Sequence, residues 1–217
     1  GNIDRGFEDY DEVASSLLSL PGVKRSAPLI RSQIMATYDN RNIGLEVFGI
    51  SYKNLLGLER IAKPEEYSGD INDFENGISI GSGVARELGV QVGDKIKLIS
   101  PNGVRTAFGT SPRVKQFEIV YIFTAGRYDI DRTRSYLPFS IAQEYFNREG
   151  LADEIEVLLD NPSNLTEAIS HIENIVGPDI QLWTWRDASS SFLRALKIED
   201  NVMFVLMSIL VMIASMN

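Results

Sequence analysis

VKRSAPLIRSQIMATY, Val23–Tyr38, alternates along its length, turns at Asp39-Asn40-Arg41-Asn42 and returns as IGLEVFGI, Ile43–Ile50. Alternation with a period of two places successive side chains on opposite faces of a pleated strand. Two such runs about a short polar turn predict an antiparallel hairpin. Immediately upstream, Phe7, Tyr10, Val13, Ala14, Leu17 and Leu18 recur at helical spacing, and Pro21-Gly22 ends that pattern. The chain therefore begins helix then hairpin, which already selects a mixed α and β fold.

Downstream, a polar and poorly patterned stretch covers Lys63–Asn76. Gly77–Gly81 reads as a short strand and Ser82–Leu88 as a helix, with Ser82 as N-cap and Gly89 as stop. Val92-Gly93-Asp94 turns into a strand at Lys95–Ile99, which pairs with Gln116–Phe123. Ser135–Phe139, Glu154–Leu159 and Ile180–Trp185 read as strands, while Ile141–Phe146 and Leu165–Val176 read as helices. From Asp187, a second N-cap candidate, neither Gly nor Pro interrupts the chain as far as Asn217, so one helix is expected there. The expected organisation is discontinuous: residues 1–50 and 140–198 form one α+β subdomain, and residues 51–139 form a β-rich subdomain inserted into it.

The 217 residues carry a net charge of −9, which excludes the basic surface that nucleic-acid binding requires. With no cysteine, neither a disulfide framework nor a thiolate metal site is possible. VMFVLMSILVMIASM, Val202–Met216, has no charged side chain. A crossing takes about twenty apolar residues, so residues 199–217 read as the beginning of a transmembrane helix and the remainder as an extramembrane domain. Gly1–Glu12 is acidic and lacks the apolar core of a signal peptide, so export would depend on a transmembrane helix upstream.

No catalytic, cofactor-binding or metal-binding set can be assembled. Gly81-Ser82-Gly83 lacks the spacing of a nucleophile elbow and reads better as a helix start. His171 is the single histidine, without companion ligands. Tyr128-Asp129-Ile130-Asp131 lacks a calcium-loop pattern, and Arg127, Arg132 and Arg134 are on hand to neutralise it. The recognition candidate is TAFGTSPR, which comprises Thr106, Ala107, Phe108, Gly109, Thr110, Ser111, Pro112 and Arg113. It presents a phenylalanine among glycine and small hydroxyls, within the most basic locality of an acidic chain (Lys95, Lys97, Arg105, Arg113, Lys115). Such a hairpin tip suits insertion into a partner protein, with the cations favouring an acidic surface.

LGVQVGDKIKLISPNG at Leu88–Gly103, TAFGTSPRVKQFEIVYIF at Thr106–Phe123, SSFLRALKIEDNVMF at Ser190–Phe204 and PGVKRSAPLI at Pro21–Ile30 resemble the LolC/LolE permeases. These are subunits of the LolCDE lipoprotein-releasing ABC transporter. The resemblance implies an α+β, MacB-like periplasmic domain of two mixed subdomains, anchored in the inner membrane of a Gram-negative cell. It implies that Thr106–Arg113 is the LolC-type hook that recruits the carrier LolA, with Lys97 and Lys115 as its basic pad. It also implies a LolD-like ATPase subunit, a second LolC/LolE-type permease subunit and a lipoprotein substrate, so that this chain is no enzyme. The alternatives are a MacB-like or FtsX-like ectodomain for efflux or hydrolase regulation, or an anchored periplasmic enzyme.

Overall fold

The computed structural model describes residues 6–106, 109–161, 164–177 and 180–188, together with 202–204, 207 and 211–212. By compactness the chain divides into Gly1–His171 and Ile172–Asn217. In the first unit, α1 (Tyr10–Leu18) leads into β1 (Val23–Tyr38) and β2 (Arg41–Ile50). Next come α2 (Tyr52–Leu56), α3 (Glu59–Ala62), β3 (Glu66–Gly69), a 3-10 turn at Ile71–Asn76, β4 (Ile78–Gly81) and α4 (Ser82–Leu88). The long strands β5 (Lys95–Thr106) and β6 (Gly109–Thr124) precede α5 (Tyr128–Thr133), β7 (Arg134–Pro138), α6 (Phe139–Phe146) and β8 (Glu154–Leu159). The helix α7 (Leu165–Val176) runs across the boundary between the two units.

The expected hairpin is present, with Tyr38 opposite Arg41 and Ile30 opposite Gly49. β1 is long enough to serve three ladders. Val23–Leu29 pairs antiparallel with β8, whereas Ile30–Tyr38 pairs antiparallel with β2, and Met35–Thr37 also pairs with β5. From β2 the ladder passes in parallel to β7, antiparallel to β4, in parallel to β6, and antiparallel to β5, which returns to β1. Six strands thus close into a barrel, which removes their open edges. β3 adds to the outside of β6.

Closure creates the core. Ile34, Ala36, Leu45, Val47, Ile78, Ile80, Ile96, Leu98, Phe117, Ile119 and Leu137 alternate onto one face and are buried with Val84 and Leu88 of α4 and Ala142 and Tyr145 of α6. On the opposite face Phe48, Ile50, Tyr121, Phe123 and Tyr136 pack with Leu55, Ile61 and Phe74 from the segment between β2 and β4. α6 lies very close to β2: a Cβ at Gly49 would stand 2.3 Å from the Ala142 Cβ and 3.0 Å from the Ile30 Cβ. A second close approach explains Gly81-Ser82-Gly83, where added Cβ atoms would meet the Asp131 carbonyl oxygen at 2.3 and 2.7 Å. Gly81, rather than Ser82, is the N-cap of α4. Gly89 ends that helix in the left-handed region, as its position implies.

Tyr128–Asp131 belongs to α5 and forms no ion loop. Asp129 takes a forked pair from Arg127 at 2.9 and 3.2 Å, Arg132 goes to Glu87 and Arg134 to Glu46. The Arg127 guanidinium holds the Asp129 carboxyl below its ordinary pKa. Asp131 is buried and accepts the Ala125 amide at 2.7 Å, so its side chain ties down the turn after β6.

In the second unit the expected strand at Ile180–Trp185 is replaced. Residues 181–184 have no regular structure, and Trp185–Ala188 is a short helix, α8. Thr184 takes the cap role expected of Asp187. The Asp187 carboxylate reaches back to accept both the Thr184 amide at 2.9 Å and its hydroxyl at 2.7 Å, one half of a capping box, while the Asp187 amide donates to the Thr184 carbonyl at 3.0 Å. Residues 202–204, 207 and 211–212 are helical and exposed, with Phe204 74% accessible. The rest of the helix expected from Asp187 to Asn217, and of the membrane segment at 199–217, lies outside the described residues. Among the described residues no helix is long and apolar enough to cross a membrane.

Candidate recognition hairpin

The stretch singled out in the sequence sits at the far end of β5 and β6. Pairing runs from Lys95 opposite Glu118 to Ser100 opposite Arg113, shifts register, and resumes from Val104 opposite Ser111 to Thr106 opposite Gly109. Residues read as a loop are thus two strands, and Gly109, Thr110, Ser111, Pro112 and Arg113 all belong to β6. Ala107 and Phe108, between Thr106 and Gly109, lie outside the described residues. The register shift between Ser100 and Val104 is a bulge spanning Pro101, Asn102 and Gly103, and a bulge bends a strand and re-aims the residues beyond it. Past that point, among the described residues, β5 and β6 pair only with each other.

Cross-strand neighbours share a face, which separates the two candidate pad lysines. Lys97 faces outward opposite Gln116, exposed to solvent. Lys115 stands opposite buried Leu98 on the other face, half-buried, 3.1 Å from Glu144 and over the Phe117 ring. The outer face also carries an apolar row in register across four strands, Gly44, Met35, Ile99 and Val114, of which Val114 is 55% exposed. Gly44, Met35 and Ile99 of this row, with Pro101 and Pro112, border an open groove of about 610 Å³ that extends toward the bulge.

The inner face of the hairpin root is bound to α6. Arg113 donates from Nη1 to the carbonyl oxygens of Glu144 (2.7 Å) and Tyr145 (3.0 Å), a cation at the C-terminal end of the helix, where the dipole favours positive charge. In return the Tyr145 hydroxyl donates to the Leu98 carbonyl at 2.8 Å and approaches that of Arg113 at 3.2 Å. Burial pushes the Tyr145 phenol up to about 12, so it remains a donor at any physiological pH. Neither Glu144 nor Tyr145 carried a motif; sequence reading placed them on a helix without a role. Among the described residues no group of three potential metal ligands comes together.

A closed barrel bearing one long, bulged hairpin defines the class. Residues 2–175 match the family model of the MacB-like periplasmic core domain, and the chain belongs to that family. Among curated proteins it is similar to the lipoprotein-releasing system transmembrane protein LolC of Neisseria meningitidis serogroup B, 25% identical over all of this chain and 53% of that protein. The LolC of Haemophilus influenzae is 29% identical over 64% of this chain and 34% of its own length. The chain thus spans about half the length of the curated relatives it matches. Its fold is similar to the extracellular domain of the noncanonic ABC-type transporter YknZ from Gram-positive bacteria, with a TM-score of 0.51 at 14% identity, covering 78% of this chain and 83% of that one.

Proposed function

We propose that this chain is the periplasmic domain of a LolC-like permease subunit in an inner-membrane ABC transporter that releases lipoproteins and passes them to a LolA-like carrier. The observation that carries the reading is the similarity to LolC along the whole chain, combined with a hairpin that projects beyond its last neighbouring strand. On this reading the hook is Thr106–Arg113, and Lys97 and Lys115 supply positive charge on the two faces of its root. The apolar outer row gives a partner protein a surface to cover. ATP hydrolysis belongs to a separate LolD-like subunit, and a second LolC/LolE-type subunit completes the transporter. We place residues 1–50 and 140–198 in the membrane-proximal subdomain and 51–139 in the inserted one that bears the hook; β8 pairs with the first half of β1 as this division requires, while the second half of β1 and β2 share the barrel with strands of 51–139. The test is the affinity of a purified LolA-like carrier for this chain, with and without Phe108→Ala. Binding that the substitution weakens supports the reading, and a carrier that ignores the wild-type chain overturns it in favour of an efflux or regulatory ectodomain of the same fold.

A further inference from the structure

The hairpin end is positioned by a helix outside the hairpin. Arg113 of β6 donates to the Tyr145 carbonyl, and the Tyr145 hydroxyl gives its one proton to the Leu98 carbonyl of β5, with the Arg113 carbonyl 3.2 Å away. Tyr145 thus ties both strands, β6 through its carbonyl and β5 through its hydroxyl. The junction lies at Ser100 opposite Arg113, the last regular pair before the bulge. A bulge bends the ladder but does not fix the angle of a two-stranded ribbon, which is marginal in isolation. A rigid point on the barrel side of the bulge removes that freedom.

Tyr145 is well suited to be that point. It is 1% exposed, and its ring meets Phe117 edge-on at 5.5 Å and Phe146 at 4.8 Å. Its helix is held in turn. Ala142 packs against Gly49 of β2, Gln143 donates to the Leu151 carbonyl at 2.9 Å, and Phe139 meets Tyr10 of α1 edge-on at 5.3 Å. α6 therefore touches α1 at one end and the hairpin root at the other.

We propose that Tyr145 is a positioning residue for the recognition hairpin, and that α6 is a strut carrying the position of α1 to the hairpin end. The inference rests on the reading of this hairpin as the carrier-binding hook. It adds that binding depends on a side chain the carrier never contacts. Because the bound direction of the hook is set in advance, its ordering cost falls before the partner arrives.

Tyr145→Phe keeps the ring and its packing and removes only the hydroxyl. The chain has no cysteine, so Ser111→Cys and Asn42→Cys give a single pair of spin labels, one on the hairpin and one on the barrel. In that background Tyr145→Phe is expected to broaden the label–label distance distribution and to weaken carrier binding by about tenfold, the effect of losing one hydrogen bond. Phe108→Ala, measured alongside, is expected to weaken binding with the distribution unchanged. If Phe108→Ala weakens binding but Tyr145→Phe neither weakens it nor broadens the distances, the strut is refuted and the hook reading stands. If the wild-type chain binds no carrier, the hook reading fails and the distance measurement alone decides: broadening supports the strut, an unchanged width refutes it. Should Tyr145→Phe not fold, Arg113→Met, which removes the donor to the Glu144 and Tyr145 carbonyls, must broaden the distribution in its place.

Discussion

Replacing Gly49 by alanine adds one methyl group at the tightest contact between α6 and the barrel. The new Cβ would stand 2.3 Å from the Ala142 Cβ and 3.0 Å from the Ile30 Cβ. Both atoms are fixed to backbone, so no side-chain rotation relieves the overlap, and α6 must withdraw from β2. Overpacking of a well-filled core costs about 1–3 kcal/mol, and the rigidity of both neighbours points to about 2–3 kcal/mol here. For a chain of this size each kcal/mol lowers Tm by roughly 2–4 °C, giving a fall of roughly 4–12 °C. Thermal unfolding followed by circular dichroism measures this directly. Ala142→Gly in the Gly49→Ala background removes the clashing methyl and should recover part of the loss, although glycine within a helix costs about 1 kcal/mol of its own. If Gly49→Ala melts with the wild type, or Ala142→Gly makes it worse, α6 is not seated on β2 as described.

Phe108→Ala should weaken carrier binding by roughly thirtyfold, as loss of an aromatic hot spot of about 2 kcal/mol would, while melting stays within a degree or so of the wild type. Asp131→Ala leaves the buried Ala125 amide without its acceptor and should cost about 1–3 kcal/mol in urea unfolding; an unchanged midpoint would show the turn to be held otherwise. Burial raises the Glu154 pKa in the folded state, outweighing Arg31 nearby. Between the ordinary carboxylate value and that raised value the folded chain holds the proton more tightly than the unfolded one, so this group's contribution falls as pH rises through the window and stays low above it. Glu154→Gln should therefore be no less stable than the wild type at pH 7, with its advantage shrinking on acidification; a pH-independent loss would mean that the pair with Arg31 outweighs burial.

The first hairpin was legible because burial alternates on either side of the turn, where Ile34, Ala36, Leu45 and Val47 are buried and Gln33, Met35 and Gly44 are exposed, and the residues at Asp39–Asn42 announce the turn. Its closure into a barrel was not, because the parallel pairings of β2 with β7 and β4 with β6 join segments far apart in the chain, and periodicity reports burial without naming the neighbour. The outer hairpin was read as a loop between short strands for a related reason. Beyond Ser100 the ladder rests on backbone hydrogen bonds, and glycine, proline and hydroxyl residues there give no alternation to detect. α2 and α3, with five and four residues, are shorter than one amphipathic repeat can register. The strand expected at Ile180–Trp185 is absent, and Thr184 and Asp187 tie the local backbone together by hydrogen bonding. The recognition stretch was found from composition; the helix that holds its root was invisible because Tyr145 acts through one hydroxyl aimed at main-chain carbonyls.

Barrel closure also has a consequence in time. β2 forms with β1 at once, since a short turn joins them, yet its other edge must wait for Arg134–Pro138, and β1 must wait for Lys97–Ile99 on one part and Glu154–Leu159 on another. Loop-closure entropy opposes these pairings until most of the chain is present, which places the domain among slowly folding topologies. A chain that emerges from a translocation pore in order would present an apolar hairpin with unpaired edges for the whole interval before β7 arrives. The exposed Lys24, Arg31 and Arg41 of β1 and β2 are then as important to the nascent chain, which they keep from pairing with its neighbours, as to the finished barrel.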